Sequence, residues 1–238
     1  MKKIVLSSLL VSTLALSASA FETGIISHVE LGYVGTTGNT ETQTFTFDGN
    51  LKRDWEKHAM LIKADAAYGE DSDVETKNKY FIEGAYDYKV TDNVAFNYIA
   101  AYKKDKFTDY NYQAYTGPGI KYKAIKTEQH VLDLTASALY SFDQFKIDDE
   151  NDDYASYKLE LKYDYKILEN LKFNQELNYR SAFDDSEKYF VFSKSAITTK
   201  ISDILSAGLS YKVDYINSVA DDKEKSDNTL AFNLIFDY

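Results

Sequence analysis

Three histidines, His28, His58 and His130, are the only imidazoles in a chain of 238 residues that contains no cysteine. Nucleophile activation or zinc chemistry would have to run through them, because a catalytic serine needs an adjacent base and a zinc ion needs closely spaced nitrogen or sulfur ligands. No Gly-x-Ser-x-Gly elbow and no His-x-x-x-His pair accompanies them. Each falls at one end of an alternating segment, which suits a structural histidine at an interface. A second candidate is Gly35-Thr36-Thr37-Gly38-Asn39-Thr40, which opens like a phosphate-binding loop. It lacks the lysine that reaches the β- and γ-phosphates, and it leads into alternating residues instead of a helix. Gly38 and Asn39 tolerate positive φ and predict a tight hairpin turn, with the threonines after it facing the inside of the structure. No cofactor motif is present.

Carboxylates gather in four stretches: Gly69-Glu70-Asp71-Ser72-Asp73, Asp148 to Asp153, Asp184-Asp185-Ser186-Glu187 and Asp221-Asp222-Lys223-Glu224. A calcium ion wants six to eight oxygens, yet none of these stretches has the spaced Asp, Gly and terminal Glu of a calcium loop. They read as solvated loops, or as weak sites at which Ca²⁺ or Mg²⁺ bridges to anionic lipopolysaccharide.

The elements that must position all these groups announce themselves by period. Phe45, Phe47 and Leu51 alternate with Thr44, Thr46, Asp48, Asn50 and Lys52, the two-residue repeat of a strand with one apolar and one polar face. The repeat recurs to the end of the chain, as in Met60 to Tyr68, Tyr80 to Tyr88, Tyr157 to Tyr165 and Leu230 to Tyr238, and predicts twelve strands. Links alternate in length. Tight ones such as Thr91-Asp92-Asn93 and Leu168-Glu169-Asn170 contrast with longer acidic ones expected at Gly69 to Asn78, Lys104 to Asn111, Phe142 to Asp152, Phe183 to Glu187 and Ile216 to Asp227. A membrane β-barrel has this asymmetry, with short periplasmic turns and longer external loops. Tyrosines near both ends of the apolar rows suit the aromatic girdles at the two lipid interfaces.

A soluble barrel would show the same alternation turned inside out. The apolar faces of twelve strands would then have to fill one interior, and twelve strands enclose more volume than small barrels can pack. The polar face is also heavily charged. Lys63, Asp65, Glu83, Asp87, Lys158, Glu160, Lys162, Asp164, Lys172, Glu176, Arg180, Lys212 and Asp214 are predicted to line the lumen. Charges of both signs there either pair across the lumen and plug it or line a water-filled path. Pro118, between Gly117 and Gly119, is expected to mark a bulge or a local break in the sixth strand, because a closed barrel has no edge strand to shelter it.

Composition narrows the class further. Met1-Lys2-Lys3, the apolar run Ile4 to Leu16 and Ala18-Ser19-Ala20 have the order of a secretory signal peptide, so residues 1–20 are expected to be cleaved and 21–238 to form one domain. Without Lys2 and Lys3, 25 basic residues face 38 acidic ones, a charge of −13 that argues against a nucleic-acid partner. The 21 tyrosines and 14 phenylalanines are too many for a disordered acidic chain.

Gly32-Tyr33 followed by Thr37-Gly38-Asn39-Thr40, the stretch Tyr115-Thr116-Gly117-Pro118-Gly119-Ile120-Lys121-Tyr122, and the alternating last strand together resemble the salt-induced outer membrane protein family, also known as domain-of-unknown-function 481. The resemblance covers the chain from about residue 25 and implies a Gram-negative outer-membrane barrel with no established molecular activity. Leu234-Ile235-Phe236-Asp237-Tyr238 also resembles the terminal signal read by the barrel-assembly machinery, with Tyr where Phe is commoner. The expectation is therefore a monomeric, non-enzymatic barrel surrounded by outer-membrane lipid and lipopolysaccharide, serving envelope structure or small-solute passage under salt stress. The alternatives are a plugged cation- or lipopolysaccharide-binding scaffold and a lipid-modifying enzyme, which would need a Ser-His pair at one membrane depth on adjacent strands.

Overall fold

The computed structural model describes residues 24–36, 42–146, 150–219 and 224–237. The predicted signal segment, the turn at Thr37 to Thr40, Asp148-Asp149, Asp221 to Lys223 and the terminal Tyr238 lie outside the described residues. Twelve strands follow one another: β1 (Ile26–Thr36), β2 (Thr42–Trp55), β3 (His58–Asp71), β4 (Val74–Lys89), β5 (Val94–Asp105), β6 (Tyr110–Lys126), β7 (His130–Phe145), β8 (Asn151–Leu168), β9 (Leu171–Ala182), β10 (Tyr189–Lys200), β11 (Leu205–Ile216) and β12 (Ser226–Asp237). Each pairs antiparallel with its sequence neighbours, and β1 pairs with β12, so the sheet closes into an up-and-down barrel. Closure satisfies the backbone N–H and C=O groups within the wall, which a strand-built structure in hydrocarbon must do.

Exposure is inverted relative to a water-soluble protein. Phe232 is 67% exposed and Ile120 53%, whereas Glu83 is 4% and Lys158 and Lys212 are 6%. No water-soluble barrel would leave its large apolar side chains outside and bury its charges, so the outer face is built for lipid. Tyrosine ladders cap that face at the external end, with Tyr80, Tyr102 and Tyr112 stacked at 6.1 and 5.7 Å and Tyr179, Tyr189 and Tyr215 at 5.6 and 5.8 Å. At the opposite end Trp55 stacks on His58 at 5.8 Å and His130 on Tyr165 at 4.5 Å. Aromatic rings with one apolar body and one polar tip belong at such interfaces.

Three details differ from what the alternation alone suggests. The stretch from Gly69 to Asn78, expected as a loop, is mostly strand: β3 and β4 run on until only Ser72 and Asp73 remain between them, with φ of 48° and 66°. Two successive positive φ values are those of the tight hairpin turn whose twist matches the flanking strands. Pro118 produces no bulge. It pairs in register with Tyr98 of β5, while on the β7 side the ladder runs from Thr116↔Tyr140 to Gly119↔Ser137 without a shift but with no pairing at Gly117 and Pro118. The break is thus local, as proline's missing N–H requires. A Cβ on Gly117 would lie 2.2 Å from the carbonyl oxygen of Ala138, so only glycine lets β6 approach β7 this closely. The seam is also uneven: among the described residues six pairs, His28↔Asp237 to Tyr33↔Phe232, join β1 to β12, against eleven between β1 and β2.

Candidate functional site

Period two sends alternate side chains of every strand inward, and in this chain many of those side chains are charged. A charge out of bulk water must find a partner. Most of the inward lysines do so across the lumen. Near the external end Lys79 of β4 reaches Asp214 of β11 at 2.5 Å and Asp227 of β12 at 3.0 Å, with Lys77 on Asp227 at 2.8 Å and Lys103 of β5 on Asp214 at 3.1 Å. Lower down, Lys212 of β11 sits between Asp48 of β2 and Asp65 of β3, at 2.5 and 2.7 Å, and Lys194 of β10 bridges Glu30 of β1 and Asp48 at 2.7 and 3.4 Å.

The waist carries another knot. Lys63 of β3 reaches Glu176 of β9, six strands away on the opposite wall, at 2.8 Å. Lys158 of β8 reaches Glu83 of β4 at 2.8 Å and Glu160 at 3.1 Å, and Lys162 holds the second oxygen of Glu160 at 2.6 Å. Asp87 takes Lys121 of β6 at 3.2 Å and a hydrogen bond from Asn97 at 2.5 Å. Arg180 of β9 donates to Ser141 Oγ at 2.8 Å and Tyr154 Oη at 2.9 Å, with its guanidinium carbon 5.0 Å from the Tyr115 ring centre and 4.2 Å from that of Phe190. Asp164 and Lys172 share the inward parity but are exposed at the periplasmic mouth, where Asn174 donates to Asp164 at 2.5 Å.

Between these pairs a cavity of about 220 Å³ remains. Phe190 and Ile216 line it at the external ends of their strands, and His28 and Asn50 line it near the periplasmic rim. A twelve-residue strand such as β11, rising about 3.3 Å per residue and tilted about 40°, covers about 30 Å of height, so the cavity follows most of the barrel's length.

The three histidines pair with groups at the rim and the seam. His58 Nδ1 lies 2.6 Å from Tyr86 Oη, and His130 Nδ1 lies 2.8 Å from Tyr163 Oη, both at the aromatic rim. His28 Nδ1 is 2.6 Å from Asp237 and its Nε2 3.8 Å from Glu30, so it clips the seam between the first and last strands. Among the described residues no three His, Cys, Asp or Glu side chains gather as a metal site.

Several lumen residues escape a reading of the sequence: Lys77 and Lys79, Lys103, Lys194, Asp48 and Glu30. Strand parity could have found them. Lys77 and Lys79 share the odd parity of Glu83 and Asp87, but Lys77 falls in the stretch taken for a loop and Lys79 directly after it.

A family model described as a protein of unknown function, DUF481, matches residues 29–238. The chain belongs to the DUF481 family. No curated protein matches the sequence. Among solved structures, this DUF481 barrel is similar to the NanC porin, at 13% identity over 88% of this chain and 98% of that one, with a TM-score of 0.53. It is also similar to an outer membrane channel from Pseudomonas putida F1, at 10% identity over 90% and 95%, with a TM-score of 0.55. These are likenesses of fold, and they give the DUF481 chain the outer-membrane barrel architecture that its inverted exposure requires.

Proposed function

We propose that this barrel is a non-enzymatic passage for water and small ions across the outer membrane of a Gram-negative bacterium, the localisation that goes with its architecture. The observation that carries the reading is the cavity threading the charged lumen from Phe190 and Ile216 to His28 and Asn50. Its 220 Å³ holds on the order of seven waters at about 30 Å³ each, enough for a file of water or a small ion. Cations and carboxylates alternate along it, so the lining offers a permeant ion partners of either sign and favours neither strongly. The two similar solved structures are named as a porin and a channel, which supports passage over catalysis. A role under salt or osmotic stress follows the family's name and belongs to this proposal. Purified protein in a planar bilayer should give small, steady openings in potassium chloride. Silence from protein that is demonstrably folded and heat-modifiable would overturn the passage and favour a plugged scaffold.

A further inference from the structure

The lumen holds a second, smaller cavity of about 50 Å³, lined by Lys52, Asp87, Asn97, Lys121 and Lys162 among others, on the β2 to β8 side toward the periplasm. Both cavities are lined by the same two charged side chains, Glu83 and Lys158. These residues stand on β4 and β8, four strands apart around the wall, so the bond between them runs as a chord across the lumen. Their 2.8 Å contact is among the most buried ion pairs in the barrel, with the Glu83 side chain 5% and the Lys158 side chain 7% exposed. Tyr115 of β6, between the two strands, donates to Glu83 at 3.3 Å, and the Lys158 ammonium lies 5.7 Å from its ring centre.

We infer that the Glu83–Lys158 pair, braced by Tyr115, is the septum that divides the lumen and sets its conductance and charge preference. The inference rests on reading the barrel as a passage. With the bond intact, the larger cavity runs down one side and the smaller is a separate alcove beside it. Breaking the bond frees two side chains to swing apart and joins the spaces into a wider path. The charge left behind then faces the permeant ion. Glu83→Gln keeps an acceptor for Tyr115 but exchanges the ion pair with Lys158 for a weaker neutral contact, which loosens the septum, and it removes a carboxylate, which tilts the lining toward anions. Lys158→Met leaves Glu83 and Glu160 without their shared ammonium and tilts it toward cations.

The experiment is bilayer recording of wild type, Glu83→Gln, Lys158→Met and the exchange Glu83→Lys/Lys158→Glu, with conductance in symmetric potassium chloride and reversal potential in a gradient. Heat-modifiable mobility establishes the fold of each. The septum predicts a conductance increase of about twofold or more in both single variants, reversal potentials shifted in opposite directions, and return toward wild type in the exchange. A loss of structure alone would not give opposite signs. If wild type conducts and the single variants match it in both readouts, the septum is refuted and the passage stands. If wild type is silent and Glu83→Gln opens, the wild-type passage is refuted and the septum stands as the plug that closes the barrel. If every folded variant is silent, both are refuted.

Discussion

Replacing Lys212 by methionine tests whether the cross-lumen pairs hold the barrel together. Among the described residues Lys212 is the one ammonium within bonding distance of both Asp48, at 2.5 Å, and Asp65, at 2.7 Å, and only 7% of its side chain is exposed. Methionine fills a similar volume without charge, so the loss is electrostatic. Removing one partner of a buried ion pair costs about 3–5 kcal/mol, because the other is left uncompensated. Two features lower that figure here. The carboxylates are each 23% exposed, and Asp48 keeps Lys194 at 3.4 Å. The expected loss is therefore about 2–3 kcal/mol, since partial exposure screens what remains. With a denaturant dependence of about 3 kcal/mol per molar, the unfolding midpoint in urea should fall by about 1 M, read from the heat-modifiable band of refolded protein. The triple variant Asp48→Asn/Asp65→Asn/Lys212→Met removes all three charges and should recover to within about 1 kcal/mol of wild type, because no unpaired ion is left at this knot, Lys194 keeping Glu30 at 2.7 Å. A Lys212→Met midpoint indistinguishable from wild type, or a triple variant no better than the single one, would refute the argument.

Other perturbations separate the wall from the lumen. Leu159, half exposed on the outer face of β8, should cost about 2–4 kcal/mol as Leu159→Arg in refolding titrations, the expense of a guanidinium in hydrocarbon. Gly117→Ala should destabilise by about 1–3 kcal/mol because its Cβ meets backbone, whereas Gly84→Ala, with open space around it, should leave the unfolding midpoint unchanged. Substituting His28, His58 and His130 by alanine should leave ion flux intact, and abolition of a measured activity by any one of them would return catalysis to consideration.

Strand existence and facing were legible in the sequence because alternation is local: Leu159, Leu161 and Tyr163 lie on one side and Lys158, Glu160 and Lys162 on the other whatever the rest of the chain does. Which charges meet was not legible. Lys63 finds Glu176 across the diameter, more than a hundred residues on, and that choice depends on the stagger of all the strands between. The external hairpin at Ser72-Asp73 was hidden for a different reason. Beyond the lipid band both faces of a strand are wet, so polar residues such as Lys77 and Asn78 no longer alternate with apolar ones although the ladder continues. Pro118 was half legible: its missing N–H dictated an interruption, but not which neighbour would lose its bonds.

The short joint between β1 and β12 gives the cylinder a preferred line of failure. Local opening follows the cheapest set of bonds, so thermal excursions should unzip this wall lengthwise before they loosen it evenly. Backbone amides along His28 to Tyr33 and Phe232 to Asp237 should exchange with deuterium ahead of those in the β7–β8 hairpin, where fifteen pairs hold. The barrel is then better pictured as a rolled sheet held by a short fastening, and the His28 clip to Asp237 closes the lower end of that fastening.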